Sequence, residues 1–149
     1  MPENKLDDLL KISAEVRGEI IKMCYKSKSA HLGSCLSCVD IISSIYWGNF
    51  NINPKKPYNA NRDRFIMSKG HAAMALYAIL AKRNFFSSSL FSTYNQNGGI
   101  LAEHPPANIL PGIEAATGSL GHGLPIGIGL ALGAKINNLK YKTIVLLSD

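Results

Sequence analysis

Cysteine is scarce in this sequence of 149 residues, and its N-terminus lacks an unbroken apolar run. The cysteines are three in number, and no secretory signal accompanies them, which indicates reduced thiols. Acidic residues occur at Glu3, Asp7 and Asp8, so the N-terminus is typical of neither a secretory signal nor an acid-poor transit peptide. We therefore expect a cytoplasmic protein.

Formal charge is absent from residues 115–134, a stretch of 20 residues and hence of membrane-spanning length. Six of these residues are glycine, and His122 and Pro125 interrupt the apolar pattern. Too few large apolar side chains remain to favour insertion into a bilayer. The sequence thus argues against a membrane protein.

Basic residues exceed acidic ones, and the net charge is +6. The 12 lysines and 4 arginines are spread over the whole chain, and this argues against a nucleic-acid-binding stripe. They are either solvated surface charges or a field that attracts anions such as sugar phosphates. With 46% hydrophobic and 17% charged residues, the chain has the composition of one globular domain.

Apolar periodicity and turn residues predict alternating helices and strands. Ser37 and Asp40 form a capping-box pattern at the start of the second predicted helix. The predicted helices cover residues 6–24, 37–47, 72–83, 87–94 and a glycine-rich 118–136, and the strands cover 64–67 and a buried 142–147. Residues 51–61 and 101–112 contain several prolines and are predicted to be irregular.

This alternation predicts an α/β fold with a mostly parallel sheet flanked by helices. Ligands of such sheets bind beyond the carboxyl ends of the strands. Polar residues occur there at 68–71, after the first strand, and at Ser148 and Asp149, after the last. Asp149 is therefore expected to face a ligand.

Four histidines, His31, His71, His104 and His122, have small residues or proline close by, which leaves their rings accessible. At the start of a helix, the position of His71, an imidazole N–H can bind an anion beside the positive end of the helix. A histidine in a loop can bind a sugar hydroxyl or transfer a proton near neutral pH. The spacing alone does not assign these roles, and each ring could be purely structural.

Two motifs have alternative interpretations. Cys35 and Cys38 form a C-x-x-C pair, which is either a zinc or redox element or simply a pair of core cysteines, and no second ligand pair is evident. Gly-x-Gly occurs at 121–123 and 127–129, but each is followed by three residues before the next glycine and neither follows a predicted strand. These glycines therefore indicate tight backbone packing and not a dinucleotide site.

Several segments in this order resemble the transketolases, especially the split form in which the N-terminal and C-terminal subunits are separate chains. They are His31-Leu32-Gly33-Ser34, Cys38-Val39-Asp40, Arg62-Asp63-Arg64-Phe65, Ser68-Lys69-Gly70-His71-Ala72, His104-Pro105 and Pro111-Gly112-Ile113-Glu114, followed by Thr117-Gly118-Ser119-Leu120-Gly121-His122-Gly123. The resemblance implies a thiamine-diphosphate-binding fold, with residues 1–149 as the N-terminal part of the diphosphate-binding domain, incomplete at its C-terminal end.

The resemblance also implies roles for individual residues. His71 resembles the histidine that contacts the cofactor diphosphate, and His31 and His104 resemble histidines that contact substrate hydroxyls and assist proton transfer. Asp149 resembles the metal-binding aspartate, and Mg²⁺ is the cation that suits a diphosphate bridge. The segment beside the aminopyrimidine is matched by Gly118, Ser119 and Leu120.

The implied reaction transfers a two-carbon ketol unit from a ketose phosphate to an aldose phosphate, as in the pentose phosphate pathway, within an oligomer that includes a C-terminal subunit. Deoxyxylulose-phosphate synthase is a weaker match, because residues 68–72 and 104–105 read closer to transketolase. The sequence departs from the family at Leu32, His122 and Ser148, where proline, glutamine and glycine are usual. Because no residue follows Asp149, the chain alone is expected neither to bind thiamine diphosphate tightly nor to turn over.

Overall fold

The computed structural model describes residues 3–147, in which five helices surround or flank a short parallel sheet. The expected α/β organisation with a parallel sheet is confirmed. The elements are α1 (Glu3–Ser27), α2 (Leu32–Ser37), α3 (Val39–Trp47), β1 (Arg64–Met67), a 3₁₀ turn (Gly70–Ala72), α4 (Ala73–Lys82), a 3₁₀ helix (Ser88–Thr93), α5 (Gly123–Ile136) and β2 (Thr143–Leu146).

The sheet consists of two parallel strands. β1 pairs with β2 in parallel, from Arg64 opposite Thr143 to Met67 opposite Leu146. The predicted bounds of β1 are confirmed, whereas β2 is half-buried and not buried as expected. Within residues 3–147 the sheet has two strands, so each of them pairs on one side only. The carboxyl ends of both strands lie at the same end of the sheet.

The centre of the core is α4. Its residues 73–81 are all buried, and small alanine side chains at 73, 75, 78 and 81 let neighbouring elements approach. α1 packs on α3 and α4 through an apolar face at Val16, Ile20 and Met23, and this confirms the predicted periodicity. The buried Tyr77 hydroxyl donates a hydrogen bond to the Ala102 carbonyl (2.9 Å), which fixes the irregular segment against this core.

The capping box predicted for the second helix is wrong. Residues 32–36, which precede the predicted start of that helix, are themselves helical in α2. α3 begins after a break at Cys38, which makes no side-chain cap. The Ser37 hydroxyl donates to the Ser34 carbonyl (3.0 Å) within α2. Asp40 instead forms an ion pair with Arg17 of α1, at a distance of 2.7 Å. Contacts between elements therefore override the local capping pattern.

The glycine-rich helix begins five residues later than predicted. Gly118 and Gly121 have φ values of +155° and +84°, so residues 118–122 form a turn and α5 begins at Gly123. Two other predicted helices also differ from the prediction. The helix predicted over 72–83 is preceded by the 3₁₀ turn, and the segment predicted as a helix over 87–94 is a 3₁₀ helix.

One edge of α5 packs closely on the sheet, as expected from its glycines. A Cβ atom on Gly123 would lie 2.4 Å from the Ser68 Cβ, and one on Gly127 would lie 2.4 Å from a Val145 methyl group. The opposite face leaves Leu124, Ile128 and Leu132 exposed. None of the described helices has the length and apolarity required to cross a membrane.

Candidate active site

Three histidines from separate segments converge at the carboxyl end of β1. His31 precedes α2, His71 lies in the 3₁₀ turn after β1, and His104 lies in the irregular segment. The His31 ring centroid is 5.1 Å from that of His71 and 6.4 Å from that of His104. His31 and His104 are exposed and His71 is half-buried, so all three rings can reach a ligand from solvent.

The backbone of His31 adopts the left-handed conformation, with φ of +70°. Residues with a side chain rarely adopt this conformation, which carries a free-energy cost of about 1–3 kcal/mol. The His31 carbonyl nevertheless accepts the first hydrogen bond of α2 from the Cys35 N–H (3.1 Å). The strained position thus starts the helix and directs the imidazole toward the other two rings.

Glycines allow the His71 turn to touch the segment that contains Gly118. A Cβ atom on Gly70 would lie 2.4 Å from the Thr117 carbonyl carbon and oxygen. A Cβ atom on Gly118 would lie 2.9 Å from Cδ2 of His104. Only glycine at these two positions permits the observed contacts, because a side chain would occupy the space of the neighbouring atoms.

The predicted cofactor-binding residues lie around this contact. Gly118 is next to His104, and Ser119 and Leu120 follow in the exposed turn that leads to α5. The Gly123 N–H at the start of α5 donates to the Ser68 hydroxyl (3.2 Å), which ties this turn to the end of β1. The predicted metal ligand Asp149 and the neighbouring Ser148 lie outside the described residues.

Two buried hydroxyls beside the histidines have no hydrogen-bond partner within the described part of the chain. They are Ser34 Oγ, in the first turn of α2, and Thr117 Oγ1, next to Gly118. Buried polar atoms in proteins almost always have a partner, and an orphaned one suits a polar ligand. Together with the glycine contacts, these hydroxyls fit a group with several acceptor oxygens, such as a diphosphate.

Cys35 and Cys38 are core cysteines behind this site. Burial raises the pKa of the Cys35 thiol to about 11, and burial also raises the pKa of the Cys38 thiol. Both remain protonated near neutral pH, whereas the thiolate is the metal ligand and the nucleophile. Their sulfur atoms lie near the backbone oxygens of His71 and Ser34. Residues 3–147 contain no cluster of three or more metal-ligating side chains arranged to hold an ion, so the zinc or redox interpretation gains no support.

Sequence reasoning missed an ion-pair cluster that fixes the Gly118 segment from the other end. The Glu114 side chain is 9% exposed and pairs with Arg62 and with Arg64, whose Nε lies 3.5 Å from Glu114 Oε2. Asp63, also buried, accepts backbone N–H groups of Asn51 (2.8 Å) and Lys142 (2.7 Å). Charged residues at the start of a buried strand must be paired, and that pattern could have identified this cluster.

A separate groove of about 650 Å³ opens between α1, α4 and the 3₁₀ helix. Its lining includes the ion pair of Lys82 and Glu15 and the serines 88, 89 and 92. None of its lining residues is a histidine or a cysteine. The three histidines converge outside this groove, so their cluster is the better candidate for chemistry.

Comparison with known proteins identifies the family. A family model described as transketolase, thiamine diphosphate binding domain, matches residues 11–144. An apulose-4-phosphate transketolase subunit of Phocaeicola vulgatus is 42% identical over 137 residues, which are 92% of this chain and 48% of that protein. The protein of the same description from Actinobacillus succinogenes is 38% identical over 144 residues, 96% of this chain and 52% of that protein.

A solved structure gives the same result. The crystal structure of transketolase from Campylobacter jejuni superposes with a TM-score of 0.89 and 29% identity, covering 100% of this chain and 24% of that protein. This chain spans about half the length of the curated relatives it matches. Both of those relatives are named as single subunits of a transketolase, which agrees with the resemblance to the split form. The chain belongs to the transketolase family, and its residues 11–144 match the thiamine diphosphate binding domain of that family.

Proposed function

We propose that this chain is part of a transketolase that transfers a two-carbon ketol unit from a ketose phosphate to an aldose phosphate with thiamine diphosphate. Residues 1–149 would form the N-terminal part of its diphosphate-binding domain. The supporting observation is the convergence of His31, His71 and His104 beside Gly118 in a chain of this family. When bound, thiamine diphosphate supplies the nucleophilic carbon at which the carbon–carbon bond is broken and formed.

The cofactor would be held by residues at the carboxyl end of β1. His71 would donate a hydrogen bond to a diphosphate oxygen, supported by its position just before α4, where a helix start favours an anion. Gly118, Ser119 and Leu120 would lie beside the aminopyrimidine. Asp149 would bind Mg²⁺, a hard cation that prefers carboxylate and phosphate oxygens.

His31 and His104 would act on the substrate. Their rings lie 6.4 Å apart and are exposed, so one sugar hydroxyl or carbonyl can approach both. An imidazole transfers protons efficiently near neutral pH, and here it would deliver or accept the proton of a substrate oxygen. The net charge of +6 would raise the local concentration of phosphorylated sugars.

The substrate and partner are suggested by the relatives. Two of them are named as apulose-4-phosphate transketolase subunits, which makes apulose 4-phosphate the first ketose phosphate to test and the sugars of the pentose phosphate pathway the second. Because these relatives are subunits of a larger enzyme, they also support a C-terminal partner that would complete the active site. We also propose that the assembled oligomer is cytoplasmic.

The test is an assay of this chain assembled with its C-terminal partner, supplied with thiamine diphosphate, Mg²⁺, a ketose phosphate and an aldose phosphate. We expect cofactor-dependent ketol transfer, and His31→Ala and His104→Ala each to lower kcat by roughly a hundredfold, the usual contribution of a proton-transferring side chain. Lys82→Ala, at an exposed ion pair far from the histidines in the fold, is the control and should keep full activity. Turnover that is independent of thiamine diphosphate would contradict the proposal.

The isolated chain provides a second test. Because it spans about half the length of its relatives, we expect it to bind thiamine diphosphate and Mg²⁺ more weakly than micromolar and to be inactive alone. Isothermal titration calorimetry measures this binding. Micromolar affinity of the isolated chain would show that the missing partner contributes little to the cofactor site.

A further inference from the structure

Lys69 is a buried lysine at the carboxyl end of β1, with only 3% of its surface exposed. Its ammonium donates to the Ser34 carbonyl (2.8 Å) and to the Ser37 hydroxyl (3.1 Å), both in α2. No carboxylate of residues 3–147 lies within ion-pair distance of it. Within these residues, the ammonium therefore faces the polar groups of the short helix α2 and the neighbouring Cys38 thiol, and no carboxylate.

Burying this charged side chain costs folding free energy. Removing an ammonium from water costs several kcal/mol, and fixing a long side chain costs about 1.5–2 kcal/mol of rotamer entropy. A leucine at this position would avoid the cost of removing a charge from water and would lose less rotamer entropy. We therefore look for the role of this lysine in the element that its two hydrogen bonds contact, which is α2.

Lys69 binds α2, a helix that is too short to be stable by itself. α2 has six residues, and an isolated helix of that length is unstable because helix nucleation is unfavourable. It has no side-chain cap, and its first hydrogen bond starts from the strained His31. The thiol of Cys35 also lies 3.8 Å from the His71 carbonyl, but a thiol is a weak hydrogen-bond donor.

We propose that Lys69 is a positioning residue that holds α2, and with it the His31 ring, against the His71 turn. Lys69 is two residues before His71 and binds α2 three residues after His31, so its bonds join the segments whose rings lie 5.1 Å apart. Its importance for turnover rests on the proposed function. The geometry that it maintains is independent of that function and is measurable in the chain without cofactor.

The experiment compares histidine ring contacts by NMR in the 149-residue chain with labelled histidine and tyrosine. In Lys69→Met, which keeps the length but removes the charge and both bonds, the nuclear Overhauser effect between His31 and His71 should be lost. The contact between Tyr77 and Tyr94, whose ring centroids are 6.1 Å apart in the core, should persist and report an intact fold. Lys69→Arg, which keeps a cation with several donors, should restore part of the His31–His71 signal.

Two further variants make the result decisive. Lys82→Met removes an exposed lysine paired with Glu15 and should leave all ring contacts unchanged. Ser37→Ala removes one of the two acceptors of Lys69 and should weaken the His31–His71 effect by less than Lys69→Met does. An unchanged His31–His71 contact in folded Lys69→Met would overturn the proposal. If Lys69→Met does not fold, unchanged contacts in Ser37→Ala would overturn it and weakened contacts would support it.

In the assembled enzyme, Lys69→Met should lower kcat by roughly tenfold to a hundredfold, the effect of misplacing a reacting group by about 1 Å. The KM for the ketose phosphate should change much less. Loss of the ring contact in a protein that has no ketol-transfer activity at all would refute the proposed function and leave the positioning role of Lys69 supported.

Discussion

The helices α4 and α5 are both apolar and both begin at the candidate active site, yet they differ in burial. α4 is buried at every position from 73 to 81, whereas in α5 only Gly123, Gly127 and Ala134 are buried. α4 is surrounded by α1, α2, α3 and the 3₁₀ helix, and α5 packs mainly on the two strands. The position of the neighbouring elements therefore decides burial, and apolar composition alone does not.

The two helices also contribute differently to the site. α4 follows the His71 turn and holds it on a rigid base, because its side chains are enclosed by the core. α5 follows the Gly118–Gly121 turn and is anchored by Gly123, whose N–H binds Ser68. Both helix starts point toward one end of the sheet, where their positive dipole ends favour an anionic ligand.

The largest expected difference between the helices is in a matched pair of leucine truncations. Leu80→Ala in α4 should lower the free energy of unfolding by about 2–5 kcal/mol, because it leaves a cavity in a fully buried site. Leu132→Ala in α5, where leucine is 55% exposed, should change it by at most about 0.5 kcal/mol. Urea unfolding followed by circular dichroism measures both. Equal losses would show that α5 is covered in solution and would break the comparison.

A pair of glycine substitutions sharpens the comparison within α5. Gly123→Ala should destabilise the chain by about 1–3 kcal/mol, because the new methyl group would lie 2.4 Å from the Ser68 Cβ and 2.7 Å from its Cα. Gly133→Ala meets no atom within 4 Å and should stabilise the helix by about 0.5–1 kcal/mol. Thermal unfolding reports both shifts. A stabilising Gly123→Ala would contradict the close contact between α5 and β1.

The smallest expected effect concerns Cys35, which is buried against α4. Burial raises the pKa of its thiol to about 11 from the ordinary value of 9.0, so the folded state favours the protonated thiol. The resulting stability is fully present below pH 9 and is lost as the pH rises through 11. Between these pH values the free energy of unfolding of the wild type should fall by about 2 kcal/mol more than that of Cys35→Ala. Burial raises the pKa values of Tyr77 and Tyr94 in both proteins, and the charge of Cys35 adds to the Tyr94 shift in the wild type alone. Parallel pH profiles of the two proteins would show that Cys35 is accessible to water.

Much of the fold was predictable because local signals and tertiary contacts agree. The apolar spacing of α1, the bounds of β1 and the alanine-rich α4 follow directly from the sequence. α2 was not predictable, because a six-residue helix beginning at a left-handed histidine depends on contacts with distant residues. The start of α5 depends on glycine φ values, and the pattern of apolar residues carries no information about them.

The sequence singled out the three histidines of the candidate site but not the contacts that support them. His31, His71 and His104 each stood out as histidines among small residues, and the fold brings their rings together. Lys69 did not stand out, because a lysine in a turn is normally exposed. The charges at the start of β1 indicated in the sequence that a partner was needed, but that partner, Glu114, lies about 50 positions away and is identified only by the fold.

The most direct test of the central claim is calorimetric titration of thiamine diphosphate, with Mg²⁺, into the chain assembled with its C-terminal partner. If the histidine cluster forms the cofactor site, His71→Ala should weaken binding by roughly tenfold to a hundredfold, the value of a hydrogen bond to a charged group. Lys82→Ala should leave the affinity unchanged. Equal affinity of wild type and His71→Ala would contradict the assignment of this cluster as the cofactor site.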